Sequence, residues 1–265
     1  MGYMRNELEQ IIREAAKTEL LPRFRHVAQQ LKGDGSIVTE SDLAMQQRML
    51  DALQQLWPQT PLLGEEMSAD EQQRLLENSE EGLWLLDPLD GTSNYAAGIP
   101  YFCVSLALMR NGEVELAIIY DPLRDETFSA EKGKGAWLNG EPLHAPASVR
   151  PLPQGIALID LKRLSAELAA RVVTDPPYSS QRNLGSGALD WCYVATGRVD
   201  VYLHGGQKLW DYAAGQLILS EAGGHASTLA GERVLVNTLA PRSVVAAADG
   251  GNFSQWADFL SQAGK

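Results

Sequence analysis

Cysteine is scarce in this 265-residue chain: only Cys103 and Cys192 occur, both inside apolar stretches. A disulfide framework is excluded, and one bridge is the most the pair could form; the two read as reduced, buried thiols of a cytosolic protein. No run approaches the roughly 20 apolar residues of a membrane-spanning helix. Positive charge is in short supply, with 22 Lys+Arg against 34 Asp+Glu and a net charge of −12. No basic stripe is present to meet a phosphate backbone, so direct nucleic-acid binding is not expected. The N-terminal stretch is not expected to be a secretory leader. Arg5, Glu7, Glu9, Arg13 and Glu14 alternate with Leu8, Ile11 and Ile12, which predicts an amphipathic helix, and Gly2 lacks the Ser or Thr of a myristoylation motif. No internal repeat or low-complexity tract is visible. What is there is 45% apolar, enough to build a sizeable core in one unit or two lobes.

The most telling stretch is Asp87-Pro88-Leu89-Asp90-Gly91-Thr92, directly after the apolar run Leu83-Trp84-Leu85-Leu86. The run predicts a buried strand that stops in a turn at Asp-Pro, with Gly91 free to take positive φ. Two carboxylates are then held at one point. Like charges about 4 Å apart cost about 4 kcal/mol at an effective dielectric of roughly 20, and a divalent cation removes that penalty. An ordinary acidic turn is the plainer reading of this stretch alone. Further acids reinforce the metal reading. Gly64-Glu65-Glu66 follows Pro61-Leu62-Leu63, a short strand, and Trp210-Asp211 precedes a helical segment that stops at Gly223-Gly224. Asp211 alone reads as a helix cap. Thr39-Glu40-Ser41-Asp42 fits a capping box before a helix over 41–56, and that role alone would account for both Thr39 and Asp42.

The coarse organisation predicts helices over 5–31, bent near Pro22, and over 41–56, with Ser68 to Glu71 opening a third. Runs over 101–109, 113–120 and 126–131, separated by Asn111-Gly112 and Asp121-Pro122, predict an antiparallel meander. Gly133-Lys134-Gly135 lacks the flanking residues of a phosphate loop and reads as a turn. A Pro-rich stretch over 145–153 suggests a boundary between an N-terminal α+β lobe, 1–148, and a C-terminal α/β lobe, 149–265.

Taken together and in this order, the Gly-Glu-Glu, the Asp-Pro-x-Asp-Gly-Thr and the Trp-Asp heading an Ala-rich helix resemble the inositol monophosphatase family across nearly the whole chain. The resemblance implies a layered α/β/α/β/α sandwich, a homodimer, a cytoplasmic location, lithium sensitivity and two or three Mg²⁺ per site. It implies side-chain ligation by Glu65, Asp87, Asp90 and Asp211, with the carbonyl oxygen of Leu89 added. Mg²⁺ takes hard oxygen ligands and keeps open positions for phosphate oxygens, which carboxylates suit. By the same resemblance, Thr92 and Asp42 orient the attacking water near Glu65. Phosphate oxygens would meet the N–H groups of Gly91 and Thr92 at a helix start. Glu66 supports Glu65 from behind. A strand followed by Asp-x-Asp-Gly-Thr would mark haloacid-dehalogenase-like phosphatases, but here the two acids stand three apart, so direct attack by water is expected rather than a phospho-aspartate.

The substrate pocket resembles that of relatives at Gly185, Ser186, Gly187, Asp190 and Lys208. Lys208 is either a second-phosphate contact or a surface lysine. Inositol-phosphate relatives carry a Glu seven residues before the Trp-Asp aspartate; this chain has His204, which either meets a different polyol or points to solvent. Inositol 1-phosphate heads the expected substrates. Fructose 1,6-bisphosphate follows, then histidinol phosphate or a 3'(2'),5'-bisphosphate nucleotide. A catalytically silent, protein-binding regulator is the alternative of another class.

Overall fold

A computed structural model of the chain describes residues 2–26, 29–31, 37–146 and 150–262. After α1 (Gly2–Glu19), β1 (Gln29–Leu31) pairs antiparallel with β2 (Ile37–Thr39), and α2 (Glu40–Leu56) follows. A seven-stranded sheet then forms in the order β3 (Leu62–Gly64), β4 (Leu83–Asp90), β5 (Cys103–Arg110), β6 (Glu113–Asp121), β7 (Glu126–Glu131), β8 (Gly135–Leu138) and β9 (Glu141–Leu143). Only β3 and β4 pair in parallel, across α3 (Ala69–Glu77); from β4 onward the sheet is the expected antiparallel meander. The short α4 (Thr92–Ala97) lies between β4 and β5.

A second sheet of five strands contains β10 (Ile156–Asp160), β11 (Ser180–Arg182), β12 (Val201–Gln207), β13 (His225–Ser227) and β14 (Arg242–Ala247), in the order β11-β10-β12-β14-β13. With it come α5 (Ala166–Thr174), α6 (Gly187–Ala195), α7 (Leu209–Glu221) and α8 (Gly250–Ser261). The change of sheet falls between β9 and β10. The lobe boundary expected at 148/149 lies outside the described residues.

Side-chain alternation along the strands sets the layering. Trp84, Leu86, Val104, Leu106 and Leu108 share a core with Leu8 and Ile12 of α1 and Met45 and Met49 of α2. Their neighbours Leu83, Leu85, Cys103, Ala107 and Met109 face the opposite way, onto Trp191 of α6 and Ala213 and Ile218 of α7. That second core also takes Leu158, Tyr202, Val244 and Ala246 from the five-stranded sheet. The sheet's outer residues, Ala157, Ile159, Val201 and Val245, pack with Val172 of α5 and Trp256 of α8. The result is the five-layer α/β/α/β/α sandwich. Its middle layer depends on a close helix approach, because a Cβ on Gly215 of α7 would stand 2.5 Å from the Cβ of Trp191.

Two expectations need correction. The first helix ends at Glu19, followed by a 3-10 turn over Leu21–Arg23, and residues 29–31 are strand. The Leu20 carbonyl is taken at 2.7 Å by the Tyr95 hydroxyl, a contact from far along the chain, and Pro22 lacks the N–H a continuing helix needs. The strand carrying the paired acids does not stop at Asp87: it continues to Asp90 through a register irregularity at Pro88 and Leu89. Proline cannot donate to a ladder, and a bulge accommodates it. Gly133-Lys134 is the expected turn between β7 and β8, and the N–H groups of Gly133 and Gly135 hold a carboxylate, that of Glu221, at 2.7 and 2.9 Å. Among the described residues, no helix is long and apolar enough to cross a membrane. Both cysteines are free and buried.

Candidate active site

The bulge in β4 is where the site begins. Asp87 Oδ1 accepts the Leu89 N–H at 3.0 Å, so the carboxylate is tied to its own strand two residues on. Asp90 Oδ2 is tied across the molecule, accepting the Ser186 hydroxyl at 2.7 Å and the Ala188 N–H at 2.6 Å at the start of α6. Glu65 follows β3, and its N–H donates to the Leu86 carbonyl at 3.1 Å, which sets it beside Asp87. Asp211 sits in the first turn of α7, where its Oδ2 accepts the Lys208 N–H at 2.8 Å. It is thus the third helical residue rather than the cap, which is Lys208.

Glu65, Asp87, Asp90 and Asp211 all line one cavity of about 220 Å³. Leu89, Gly91, Thr92 and Gly185 line it too. A roomier depression of about 390 Å³ between α2 and α3 is walled by Leu50, Leu53, Pro61 and Leu62 and has no converging acids. Burial first, then the charges of Glu65, Asp90 and Asp211, push the Asp87 carboxyl well above the usual range. Asp211 is pushed well up by burial and by Asp90 and Glu65. Asp90 is raised by burial too, with its bonds from Ser186 and Ala188 opposing the rise. Such a cavity holds either protons or cations.

The donor set fits Mg²⁺: its side-chain donors are all carboxylate oxygens, with no imidazole or thiolate among them. Among the described residues no three acids are already drawn into a closed coordination group. Glu65, Asp87, Asp90 and Asp211 ring the cavity.

Thr92 and Asp42 meet at the same place from two helix starts. Gly91 takes φ 92°, which turns the chain from β4 into α4 and puts Thr92 at the helix's first position. Thr92 Oγ lies 3.0 Å from Asp42 Oδ1 and 2.9 Å from the Leu89 carbonyl, and its single proton serves one acceptor at a time. Asp42 Oδ2 accepts the Thr39 N–H at 2.8 Å and hydroxyl at 2.5 Å, so the capping box is real and coexists with the contact to Thr92. Burial raises the Asp42 carboxyl against the pull of its bonds from Thr39 and Thr92.

Other expected residues lie elsewhere. Ser186 acts through Asp90, and Gly187 gives room to Gln207, whose amide nitrogen would be 2.3 Å from an added Cβ. The N–H of Glu66 donates to Gln46 at 3.1 Å. Asp190 is buried and accepts the Tyr101 hydroxyl at 2.9 Å. Lys208 caps α7, and neither it nor His204 lines the cavity. His204 neither points to solvent nor faces the cavity: its Nε2 lies 3.2 Å from Asp160 Oδ2, and its Nδ1 accepts the Gly206 N–H at 3.0 Å. Sequence reading missed Arg163, which lines the cavity as its single basic residue among those described. The available signal was its place just after the strand end at Asp160, on the same side of the second sheet as Asp211.

Comparisons with known proteins bear on family and fold. The inositol monophosphatase family model matches residues 3–263. Nus factor SuhB of Xylella fastidiosa is 36% identical over 219 residues, spanning 81% of this chain and 75% of the relative. The Thermotoga maritima IMPase superposes with a TM-score of 0.85 at 26% identity, covering 99% of this chain and 98% of that one. A staphylococcal IMPase-II bound to inositol monophosphate gives 0.81 at 26% identity, covering 99% and 96%.

Proposed function

The chain belongs to the inositol monophosphatase family, and from that premise we propose that it is a Mg²⁺-dependent phosphomonoesterase for inositol 1-phosphate or a similar small polyol or sugar phosphate. One observation carries the reading: Glu65 just after β3, Asp87 and Asp90 of β4 and Asp211 of α7 share a cavity with Thr92, whose hydroxyl donates to Asp42. Similarity to a protein bound to inositol monophosphate supports the substrate class.

Glu65, Asp87, Asp90, Asp211 and the Leu89 carbonyl would hold the ions, and two Mg²⁺ would balance the four carboxylates. When bound, the metal cancels that charge, lowers the pKa of a water molecule and stabilises the leaving alkoxide. The remaining work falls to the protein. Thr92 Oγ accepts a proton from the water while passing its own to Asp42 Oδ1. Asp42 is suited to this, since burial raises its proton affinity and Thr39 fixes its other oxygen. The first-turn N–H groups of Gly91 and Thr92, which a helix start leaves without helical partners, point phosphate toward the same spot. Ser186 and Ala188 hold Asp90 in place.

The test is phosphate release from inositol 1-phosphate with Mg²⁺, with and without a chelator. Release that vanishes on chelation supports the reading, and the absence of release from every phosphate monoester tried would refute it. A second reading, a protein-binding role alongside hydrolysis, is favoured by the Nus factor name of the relatives. Co-purification with transcription proteins, unaffected by loss of turnover, would establish it.

A further inference from the structure

Among the four acids of the cavity, Glu65 stands where the sheet supports it least. Asp87 and Asp90 belong to β4, which is flanked by β3 and β5, and Asp211 lies in the first turn of the long helix α7. Glu65 is one residue beyond β3, a three-residue strand at the sheet's edge. Its N–H reaches the Leu86 carbonyl, but an edge strand leaves backbone groups on its outer side without a ladder partner. Side chains take that place here. Gln72 Nε2 of α3 donates to the Gly64 carbonyl at 2.9 Å and to the Glu65 carbonyl at 3.1 Å, one acceptor for each amide proton. Gln46 Oε1 of α2 accepts the Glu66 N–H at 3.1 Å. Three consecutive residues around the acid are thus gripped by two glutamines from two helices.

The local sequence is arranged for this grip. A capping box between Ser68 and Glu71 sets the first turn of α3, and the helix then buries Gln72 and Leu76, one turn apart. Gln72 is only 7% exposed, so an amide occupies a core-facing position that an apolar residue would ordinarily fill. A buried amide left unpaired costs about 1–3 kcal/mol, and the two carbonyls of the Glu65 segment remove that cost. On the other side, a Cβ on Gly64 would stand 2.1 Å from Gln46 Oε1, so the glycine of Gly-Glu-Glu is what lets Gln46 close on the segment. Gln46 also follows Asp42 by four residues, on the same face of α2. One helix therefore carries both the carboxylate that meets Thr92 and a hold on Glu65.

We propose that Gln72 and Gln46 are positioning residues for the metal site: through the backbone of Gly64, Glu65 and Glu66 they fix an acid that the edge strand alone does not, and with it the placement of the ions relative to Asp42. This role rests on the phosphatase reading of the same cavity and adds to it the residues that set Mg²⁺ affinity at Glu65. Neither glutamine lines the cavity. A part in folding alone would show in the melting temperature and leave Mg²⁺ affinity untouched, so the two are separable.

Mg²⁺ is titrated by calorimetry into wild type, Gln72→Met, Gln46→Ala and Leu76→Ala, and phosphate release from inositol 1-phosphate is followed against Mg²⁺ concentration for each. Gln72→Met keeps the length of the side chain and removes its donors. It should weaken Mg²⁺ binding about tenfold and raise the Mg²⁺ needed for half-maximal release by a similar factor, with KM for the ester at saturating Mg²⁺ little changed. Gln46→Ala should weaken Mg²⁺ by less; Gly64→Ala, which displaces Gln46, should match it and add little in the Gln46→Ala background. Leu76→Ala is the control, since it loosens the same buried face of α3 without touching the grip: its melting temperature should fall while its Mg²⁺ affinity stays that of wild type. Wild-type affinity in Gln72→Met, or an equal loss in Leu76→Ala, overturns the positioning role. If Gln72→Met fails to fold by circular dichroism, Gln46→Ala decides on the same terms. If wild type binds Mg²⁺ but releases no phosphate from any ester, the phosphatase reading fails and the calorimetric comparison still decides the role of the glutamines. A wild type that binds no Mg²⁺ overturns both.

Discussion

The two walls of the cavity hold their charged groups by different means. On the wall of β4 and α4, Asp87 and Asp90 accept backbone N–H groups at 3.0 and 2.6 Å, and Asp42 of α2, behind Thr92, accepts one at 2.8 Å, so each carboxylate is aimed by the main chain. On the wall of β10 and β12, Arg163 is exposed, and the turn beneath it is braced by a single side-chain pair, Asp160 with His204. Backbone anchoring gives the precision that metal and water chemistry require. An exposed side chain on a braced turn can instead be exchanged for another without disturbing the strands.

The largest expected effect comes from breaking the first wall. Asp90→Asn should reduce Mg²⁺-dependent phosphate release by at least roughly 1,000-fold, the scale of a lost catalytic metal ligand, with circular dichroism unchanged. Next, Thr92→Ala should lower kcat about 100-fold or more with a much smaller change in KM, while Thr92→Ser retains most activity. Thr39→Ala should cost about 1 kcal/mol of stability in denaturant titration and lower kcat less than Thr92→Ala, because the Thr39 N–H still holds Asp42 Oδ2. Ser186→Ala should weaken Mg²⁺ affinity about 10-fold by loosening Asp90, as read by calorimetry.

Much of the first wall was legible in the sequence because each acid sits at a local stop signal: Glu65 and Asp87 near strand ends, Asp211 and Asp42 in the first turn of helices. The alternating runs likewise foretold the meander. What was not legible depends on register and long-range contact. The end of α1 is decided by Tyr95, which lies 75 residues from Leu20 in sequence. The role of His204 is decided by its pairing opposite Asp160, which no local pattern encodes. Arg163 escaped notice for the same reason, since a basic residue after a strand is ordinary until the fold turns it toward four acids.

Smaller effects sharpen the contrast through pH. Asp87, Asp90 and Asp211 are raised above the ordinary carboxylate value near 3.9. Their contribution to stability is full below that value and is lost as pH rises through the raised ones. The metal-free protein should therefore melt at lower temperature at about pH 8 than at about pH 5. Mg²⁺ at 100 times its Kd should add about 2.7 kcal/mol at neutral pH, a rise of roughly 5–10 °C in Tm. Asp160 behaves oppositely: His204 holds its carboxyl below the usual range, so its contribution is present above the ordinary value and fades as pH falls through the lowered one. Asp160→Asn should destabilise by no more than about 1 kcal/mol, since the pair is partly exposed.

The central claim is that acids from distant parts of the chain grip the same ions. Calorimetric titration of Mg²⁺ into wild type, Asp87→Asn, Asp211→Asn and the double variant tests it most directly. The account predicts strong weakening in each single variant and little further loss in the double, because both remove ligands of one shared site. Wild-type affinity in Asp211→Asn would contradict it.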